Sequence, residues 1–123
     1  MHNPVCAFEI AVSDLDRAIA FYSAVFDYAF EREWVDGNEF AWFPFEPEAP
    51  GIGGALAKGE SYTPGTLGVR LYFRTPDLEA TLARAVAAGG QVLYPPTAVG
   101  ELGWVAEFED SEGNCIGLHA QRT

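Results

Sequence analysis

Hydrophobic residues in the first half of the chain change from a strand-like to a helix-like pattern and back again. The segment VCAFEIAV, residues 5–12, is β-branched and aromatic and predicts a strand. Ser13 opens a predicted helix, with Asp16 as its capping partner three residues later, and apolar residues then recur at helical spacing. Asp36-Gly37-Asn38 is typical of a hairpin turn. Three further strands are predicted at residues 28–35, 39–45 and 51–59.

The second half of the chain repeats this order of elements. GVRLYFRT, residues 68–75, predicts a strand, and Thr75 is the predicted cap of a second helix with Pro76 at its first position. The pattern then returns to short apolar runs separated by turn residues. The apolar stripe of this helix is predicted to be Leu78, Leu82, Ala85 and Val86, and the last three strands are predicted at 91–97, 104–110 and 115–121.

The two halves are therefore predicted to be copies of one β-α-β-β-β module. VSDLDRAIAFY and TPDLEATLARA occupy equivalent places 63 residues apart. We place module 1 at residues 4–58, a Gly-, Ser-, Thr- and Pro-rich linker at 59–66, and module 2 at 67–121. Because a module of about 55 residues buries little core by itself, we expect the modules to pack on each other or on a second chain as one domain.

Composition and charge limit the classes of binding partner that we expect for this chain. The chain has 123 residues, of which 49% are hydrophobic, and a formal net charge of −11. Such a surface repels phosphate groups, so neither nucleic acid nor an anionic membrane is an expected partner. The sequence contains no apolar run long enough to span a membrane, and its first residues lack the basic region of a signal peptide. Cys6 and Cys115 lie in apolar runs and are predicted to be buried, reduced thiols of a cytoplasmic protein.

Two motifs connect this pattern to a known family. VSDLDRAIAFYSAVF resembles a D-x-x-R-A-x-x-F-Y helix, and FEDSEGNCIGLHA resembles the D-P-x-G-N turn and last strand of the vicinal oxygen chelate superfamily. That superfamily includes glyoxalase I, bleomycin-resistance proteins and extradiol dioxygenases, and the C-terminal third is similar to its glyoxalase-like subgroup. The resemblance covers nearly the whole chain. It implies an α+β fold of two half-barrel sheets around a cavity, and a homodimer.

The metal positions of the family are not filled by metal ligands here. The resemblance places ligands seven residues before the helix-opening aspartate of each module, at Ala7 and Arg70, and on the last strand at Gly117. None of these three residues can coordinate a metal ion. We therefore expect no cofactor. Glu9 and His119 could hold a divalent metal ion only as a weak two-donor site.

Strand alternation predicts which side chains share the face of these positions. Glu9, Arg70, Tyr72 and His119 fall on that face, and aromatic side chains such as Trp104 would complete the wall. The predicted ligand-binding residues are accordingly Glu9, Arg70, Tyr72, Trp104 and His119, with Glu9 and His119 as the catalytic candidates.

Each of these residues also has a structural interpretation. Glu9 could form an internal ion pair with Arg70 or Arg74. Tyr72 could be a wall residue whose hydroxyl finds a partner, and His119 could be a half-buried residue without a chemical role. Cys115 is predicted to be a packing residue rather than a nucleophile.

Three functions remain open from the sequence. The chain could bind a small apolar or aromatic molecule without a metal, with Ala7 and Gly117 enlarging the cavity. Alternatively, it could be a metal-independent or atypically liganded lyase or isomerase, with Glu9 as the base and His119 or Tyr72 as the acid. A structural or interaction subunit without a ligand is the third hypothesis.

Overall fold

The computed structural model describes residues 2–121 and contains two four-stranded sheets, each with one α-helix. The repeated β-α-β-β-β order and the α+β class predicted from the sequence are confirmed. The first half contains β1 (Ala7–Ala11), α1 (Leu15–Phe26), β2 (Glu31–Val35), β3 (Asn38–Trp42) and β4 (Gly53–Lys58). The second half contains β5 (Leu71–Arg74), α2 (Leu78–Ala87), β6 (Gln91–Ala98), a short 3₁₀ turn (Gly100–Leu102), β7 (Trp104–Glu109) and β8 (Cys115–Ala120).

The two sheets have equivalent topologies. Their strand orders are β1-β4-β3-β2 and β5-β8-β7-β6. In each sheet the first and last strands of the module pair in parallel, and the other neighbours are antiparallel. Over the described residues neither sheet closes into a barrel, so β1 and β5 each form an edge.

Both helices begin later than predicted. Asp14 caps α1 and Asp77 caps α2, and each carboxylate accepts a hydrogen bond of 3.0 Å from the backbone amide three residues further on. The predicted caps at Ser13 and Thr75 were therefore wrong. Thr75 instead lies with its hydroxyl oxygen 2.7 Å from that of Thr81, in the buried part of the second module. The aspartates take over as caps because they stand directly before the first helical residue.

The two modules share one hydrophobic core. Phe21 of α1 packs on Phe108 of β7, with ring centroids 5.9 Å apart, and Phe26 packs on Phe73 of β5 at 4.8 Å. These pairs join residues from opposite halves of the chain: Phe21 and Phe108 belong to a single cluster of buried side chains, and the partly buried Phe26 and Phe73 pack against it. The prediction that the halves pack on each other is thus confirmed within one chain.

Two residues predicted to be buried are exposed. Val86 is 48% exposed, because it lies at the edge of the apolar stripe and α2 turns it toward solvent. Cys6, which lies directly before β1, is exposed, whereas Cys115 is partly buried. Both thiols are free.

The turn of residues 110–114, which we call the inter-module turn, fastens module 2 to the start of α1. The carboxylate of Glu112 accepts hydrogen bonds from the backbone amides of Ser13 and Asp14, at 2.8 and 2.9 Å. The guanidinium of Arg17 donates two more, at 2.7 and 3.0 Å. The Glu112 side chain is fully buried in this arrangement, so a charge is held inside the protein by four donors from the other module.

The rest of the inter-module turn binds two further parts of the chain. Tyr22 donates from its hydroxyl to Asp110 over 2.6 Å, inside the core. The Asn114 amide nitrogen donates to the Ala11 carbonyl oxygen at 2.8 Å, and the Gly65 amide donates to the Asn114 side-chain oxygen at 3.0 Å. One turn therefore fixes the end of β1 and the end of the linker relative to module 2.

The hydrogen bonds of the Glu112 carboxylate predict that the protein loses stability in acid. Burial by itself raises the pKa of this carboxyl group, but hydrogen bonds from Arg17, from the amides of Asp14 and Ser13, and from Ser111 outweigh burial and lower the pKa from 4.5 to about 2. The pKa is lower in the folded chain than in the unfolded chain. The contribution of Glu112 to stability is therefore complete above pH 4.5 and is lost as the pH falls toward 2.

The size of this contribution is about 3 kcal/mol, since each pKa unit corresponds to about 1.4 kcal/mol. Urea unfolding at about pH 6 and about pH 3 should show a smaller pH dependence for Glu112→Gln than for the unaltered protein. An identical pH dependence in the two proteins would contradict the assignment.

Candidate functional site

A cavity of about 570 Å³ opens between β1 and β5, which are edge strands of the two sheets. Both first strands contribute to its wall, and residues of the linker and of β8 complete it. Its polar and charged lining includes Glu9, Arg70, Asn114 and Cys115, and its apolar lining includes Val5, Ala7, Ile52, Leu67 and Val69. The sequence-predicted residues Glu9 and Arg70 are therefore brought to one cavity by two different modules.

Arg70 is held by a glutamate that sequence reasoning missed. Strand register places Tyr72 opposite Gly117, and Gly117 opposite Glu107, so these residues form one row across β5, β8 and β7. Arg70 donates from Nη1 to Glu107 Oε2 at 2.9 Å, and the Tyr72 hydroxyl donates to the same oxygen at 3.2 Å. Glu107 thus orients the arginine at the cavity wall. Alternation along WVAEFED was the signal that could have found it.

Cys115 lies beside this cluster as a protonated thiol. Its sulfur donates to Glu107 Oε1 over 3.7 Å. Burial raises the pKa of the Cys115 thiol, and the Glu107 carboxylate raises it further, while the charge of Arg70 acts in the opposite direction. A thiol with a raised pKa is a poor nucleophile at neutral pH, which agrees with the packing interpretation of this residue.

Gly117 does not enlarge the cavity. A Cβ atom placed on Gly117 would lie 2.5 Å from the ring of Tyr72, so the tyrosine already fills the space that a larger residue would need. The expectation that Gly117 widens the cavity is therefore wrong, whereas Ala7 does line the cavity. Tyr72 is not among the residues that line this cavity; its ring lies over Gly117 and its hydroxyl donates to Glu107.

Glu9 is bound by a tyrosine of the linker. Tyr62 donates from its hydroxyl to Glu9 Oε1 at 2.8 Å. An ion pair of Glu9 with Arg70 or Arg74, one of the alternatives from the sequence, is not formed in the part of the chain that the structure describes. Arg70 pairs with Glu107 instead, because Glu107 lies in the same sheet, in the row that also contains Tyr72 and Gly117.

Trp104 and His119 are not brought into this cavity. Trp104 begins β7 on the face that carries α2, where it lies near Pro76 and Leu78. The ring Nε2 of His119 hydrogen-bonds the carbonyl oxygen of Leu102 in the 3₁₀ turn. The structure therefore unites Glu9 and Arg70, with Tyr72 adjacent, and leaves the other two predicted residues elsewhere on module 2.

The residues present do not fit the divalent metal of the enzymes that the sequence resembles. Ala7, Arg70 and Gly117 offer no coordinating atoms. Over residues 2–121, no group of three or more His, Cys, Asp or Glu side chains is arranged to hold a metal ion. Glu9 and His119 have separate partners in Tyr62 and Leu102. The three positions at which the family's enzymes hold a metal ion therefore carry no side chain that can bind one.

Paired β-α-β-β-β modules around an open cavity define a glyoxalase-like domain. The chain belongs to the Glyoxalase/Bleomycin resistance protein/Dioxygenase superfamily, which it matches over residues 5–118. It is 25% identical over 118 residues to a glyoxylase-like domain-containing protein from Didymella fabae, a match that covers 93% of this chain and 91% of the relative.

Solved structures support the same fold. A glyoxylase/bleomycin resistance protein/dioxygenase domain from Frankia sp. EAN1pec has a TM-score of 0.76 at 20% identity, covering 99% of this chain and 94% of the other. TnmS3, an antibiotic binding protein from Streptomyces sp. CB03234, has a TM-score of 0.76 at 27% identity, with 98% of each chain covered. The fosfomycin resistance protein FosX from Listeria monocytogenes has a TM-score of 0.71 at 18% identity, covering 100% and 94%.

Among residues 2–121, neither helix has the length and apolar character needed to cross a membrane.

Proposed function

We propose that this chain binds a small apolar or aromatic molecule in the cavity between β1 and β5, without the metal that the family's enzymes use. The observation that carries the proposal is the lining of the cavity. Ala7 and Arg70 stand at positions where the resemblance expects metal ligands, and apolar side chains surround them. A concave, mostly apolar site with a few fixed polar groups is the usual form of a small-molecule pocket.

The apolar side chains at the cavity support this view. Leu67 and Val69 are 95% and 94% exposed, and they stand next to the cavity on the segment that leads into β5. Exposed apolar residues gathered at a cavity mark a surface that gains free energy when another apolar group covers it. A bound aromatic molecule would provide that cover.

Two charged residues give the cavity its polarity. Arg70 is fixed by Glu107, and Glu9 stands on the opposite wall with a bond to Tyr62. A ligand with an apolar body and one polar end fits this distribution. TnmS3 is an antibiotic binding protein and is 27% identical to this chain over nearly its whole length. This similarity supports a binding role for the chain.

Binding of N-phenyl-1-naphthylamine, a neutral aromatic fluorophore, tests the proposal. We expect saturable fluorescence enhancement with the unaltered protein. Ala7→Trp, which fills the cavity from β1, should weaken binding by about tenfold or more, equivalent to about 1.4 kcal/mol. The matched control is Ala98→Trp, since Ala98 is exposed at the far end of β6 and should leave binding unchanged.

Two results would overturn the proposal. The first is the absence of saturable binding, or equal binding by Ala7→Trp and the unaltered protein. The second is loss of binding after treatment with a chelator, which would show that a metal is required.

A further inference from the structure

The first sheet has a second apolar surface, on the face opposite the helices. Phe40, Ala55 and Ala57 are buried there in a cluster separate from the main core, with Trp42 packed against them. Ala41 and Leu56, which alternate with them along β3 and β4, point into the main core instead. Because the helices lie on the other face of the sheet, the cluster of Phe40, Ala55 and Ala57 must be buried by other side chains.

Register places a carboxylate beside this surface. Glu9 of β1 lies opposite Ala55 of β4, and Ala55 lies opposite Trp42 of β3. Residues directly opposite one another share a face and stand about 5 Å apart. A row therefore runs from a carboxylate over a methyl group to an indole. We call the set Glu9, Phe40, Trp42, Ala55 and Ala57 the outer-face site.

Tyr62 of the linker occupies the outer-face site. Its ring meets Phe40 edge-on, with centroids 6.1 Å apart and an interplanar angle of 83°. Its hydroxyl donates to Glu9 Oε1 at 2.8 Å, and this bond together with burial raises the pKa of the phenol, which stays a neutral donor. The site thus recognises both parts of a phenol, the ring and the hydroxyl.

Tyr62 stands in the linker between two points that other parts of the chain hold in place, and its backbone amide donates to the Gly59 carbonyl oxygen at 3.1 Å. Gly59 packs closely against Asn38 at one end, and the Gly65 amide is bound to Asn114 at the other. Tyr62 lies at the centre of the five residues between these two fixed points. Thr63 and Gly65 also line the cavity, and Glu9 belongs to both the cavity and the outer-face site.

We infer that the outer-face site binds a small molecule with an aromatic ring and a hydroxyl donor, and that this molecule replaces Tyr62. The ring lies on Ala55 and Ala57, and the hydroxyl donates to Glu9. The inference rests on the proposed function, because it names the ligand class of the same cavity and extends that cavity under the linker.

Binding of p-cresol and of toluene, measured by calorimetry, tests this inference. The two probes differ in the hydroxyl group. Tyr62→Ala vacates the site, so this variant should bind p-cresol about tenfold more tightly than the unaltered protein does. The variant should also bind p-cresol about tenfold more tightly than toluene, because only p-cresol can donate a hydrogen bond to the charged Glu9 carboxylate. Adding Glu9→Leu to Tyr62→Ala should abolish the preference for p-cresol. Tyr94→Ala, at an exposed tyrosine of β6, is the matched control without a gain.

Equal affinity of Tyr62→Ala for p-cresol and toluene would overturn the inference, as would an affinity no higher than that of the unaltered protein. If Tyr62→Ala does not fold, Tyr62→Phe decides. It keeps the ring but loses the bond to Glu9, so it should bind p-cresol about threefold more tightly than the unaltered protein, and no gain would overturn the inference. Retained binding of N-phenyl-1-naphthylamine with failed p-cresol binding refutes this inference alone, whereas loss of the fluorophore refutes the proposed function.

Discussion

Replacing Glu112 with alanine will lower the free energy of unfolding by about 3–5 kcal/mol, because two backbone amides and the half-exposed guanidinium of Arg17 lose a buried, charged acceptor. The substitution leaves the amides of Ser13 and Asp14 without their acceptor and releases Arg17. Since these groups start α1, the contact between α1 and module 2 weakens as well. Urea unfolding followed by circular dichroism measures the change.

The matched control for this substitution is Glu60→Ala. Glu60 is an exposed linker carboxylate, so its removal should change stability by less than about 0.5 kcal/mol. A loss of less than about 1 kcal/mol in Glu112→Ala would show that the inter-module turn does not hold the modules together.

Replacing Gly117 with alanine will lower the free energy of unfolding by about 1–3 kcal/mol, as expected for overpacking. The added Cβ would meet the Tyr72 ring at 2.5 Å, so the ring must rotate away and lose its bond to Glu107. In a Tyr72→Ala background the same substitution should cost much less, because the obstructing ring is gone. A double-mutant cycle of unfolding free energies measures this coupling.

Gly65→Ala is the control for the glycine substitution. A Cβ at Gly65 meets nothing within 4 Å, and its backbone is not left-handed, so alanine is tolerated there. Equal costs of Gly117→Ala with and without Tyr72 would contradict the packing of the Tyr72 ring over Gly117.

Much of the fold could be predicted because hydrophobic periodicity is a local property. The two modules, the order of their elements and the turn at Asp36–Gly37 follow from the alternation of apolar and polar residues and from turn residues. The helix starts were missed by one or two residues because Ser13 and Thr75 are also good caps. Asp14 and Asp77 serve as the helix caps, while the Ser13 amide is bound to Glu112 and the Thr75 hydroxyl to Thr81. Neither of these tertiary contacts can be read from the local sequence.

The candidate site was predictable only in part. Alternation from the metal positions of the family placed Glu9 and Arg70 on one face, and both line the cavity. Glu107 and Tyr62 were missed for a different reason. Glu107 reaches Arg70 through the register of three strands, and Tyr62 belongs to a linker that has no periodicity to read.

The sequence by itself determined the repeated module, the family motif and the loss of metal-coordinating residues at Ala7, Arg70 and Gly117. Those properties depend on the identity and spacing of residues along the chain. Only the tertiary structure decided that Tyr72 fills the space above Gly117 and that Tyr62 binds Glu9. These contacts join residues far apart in the sequence, and their geometry is set by how the two sheets and the linker pack together.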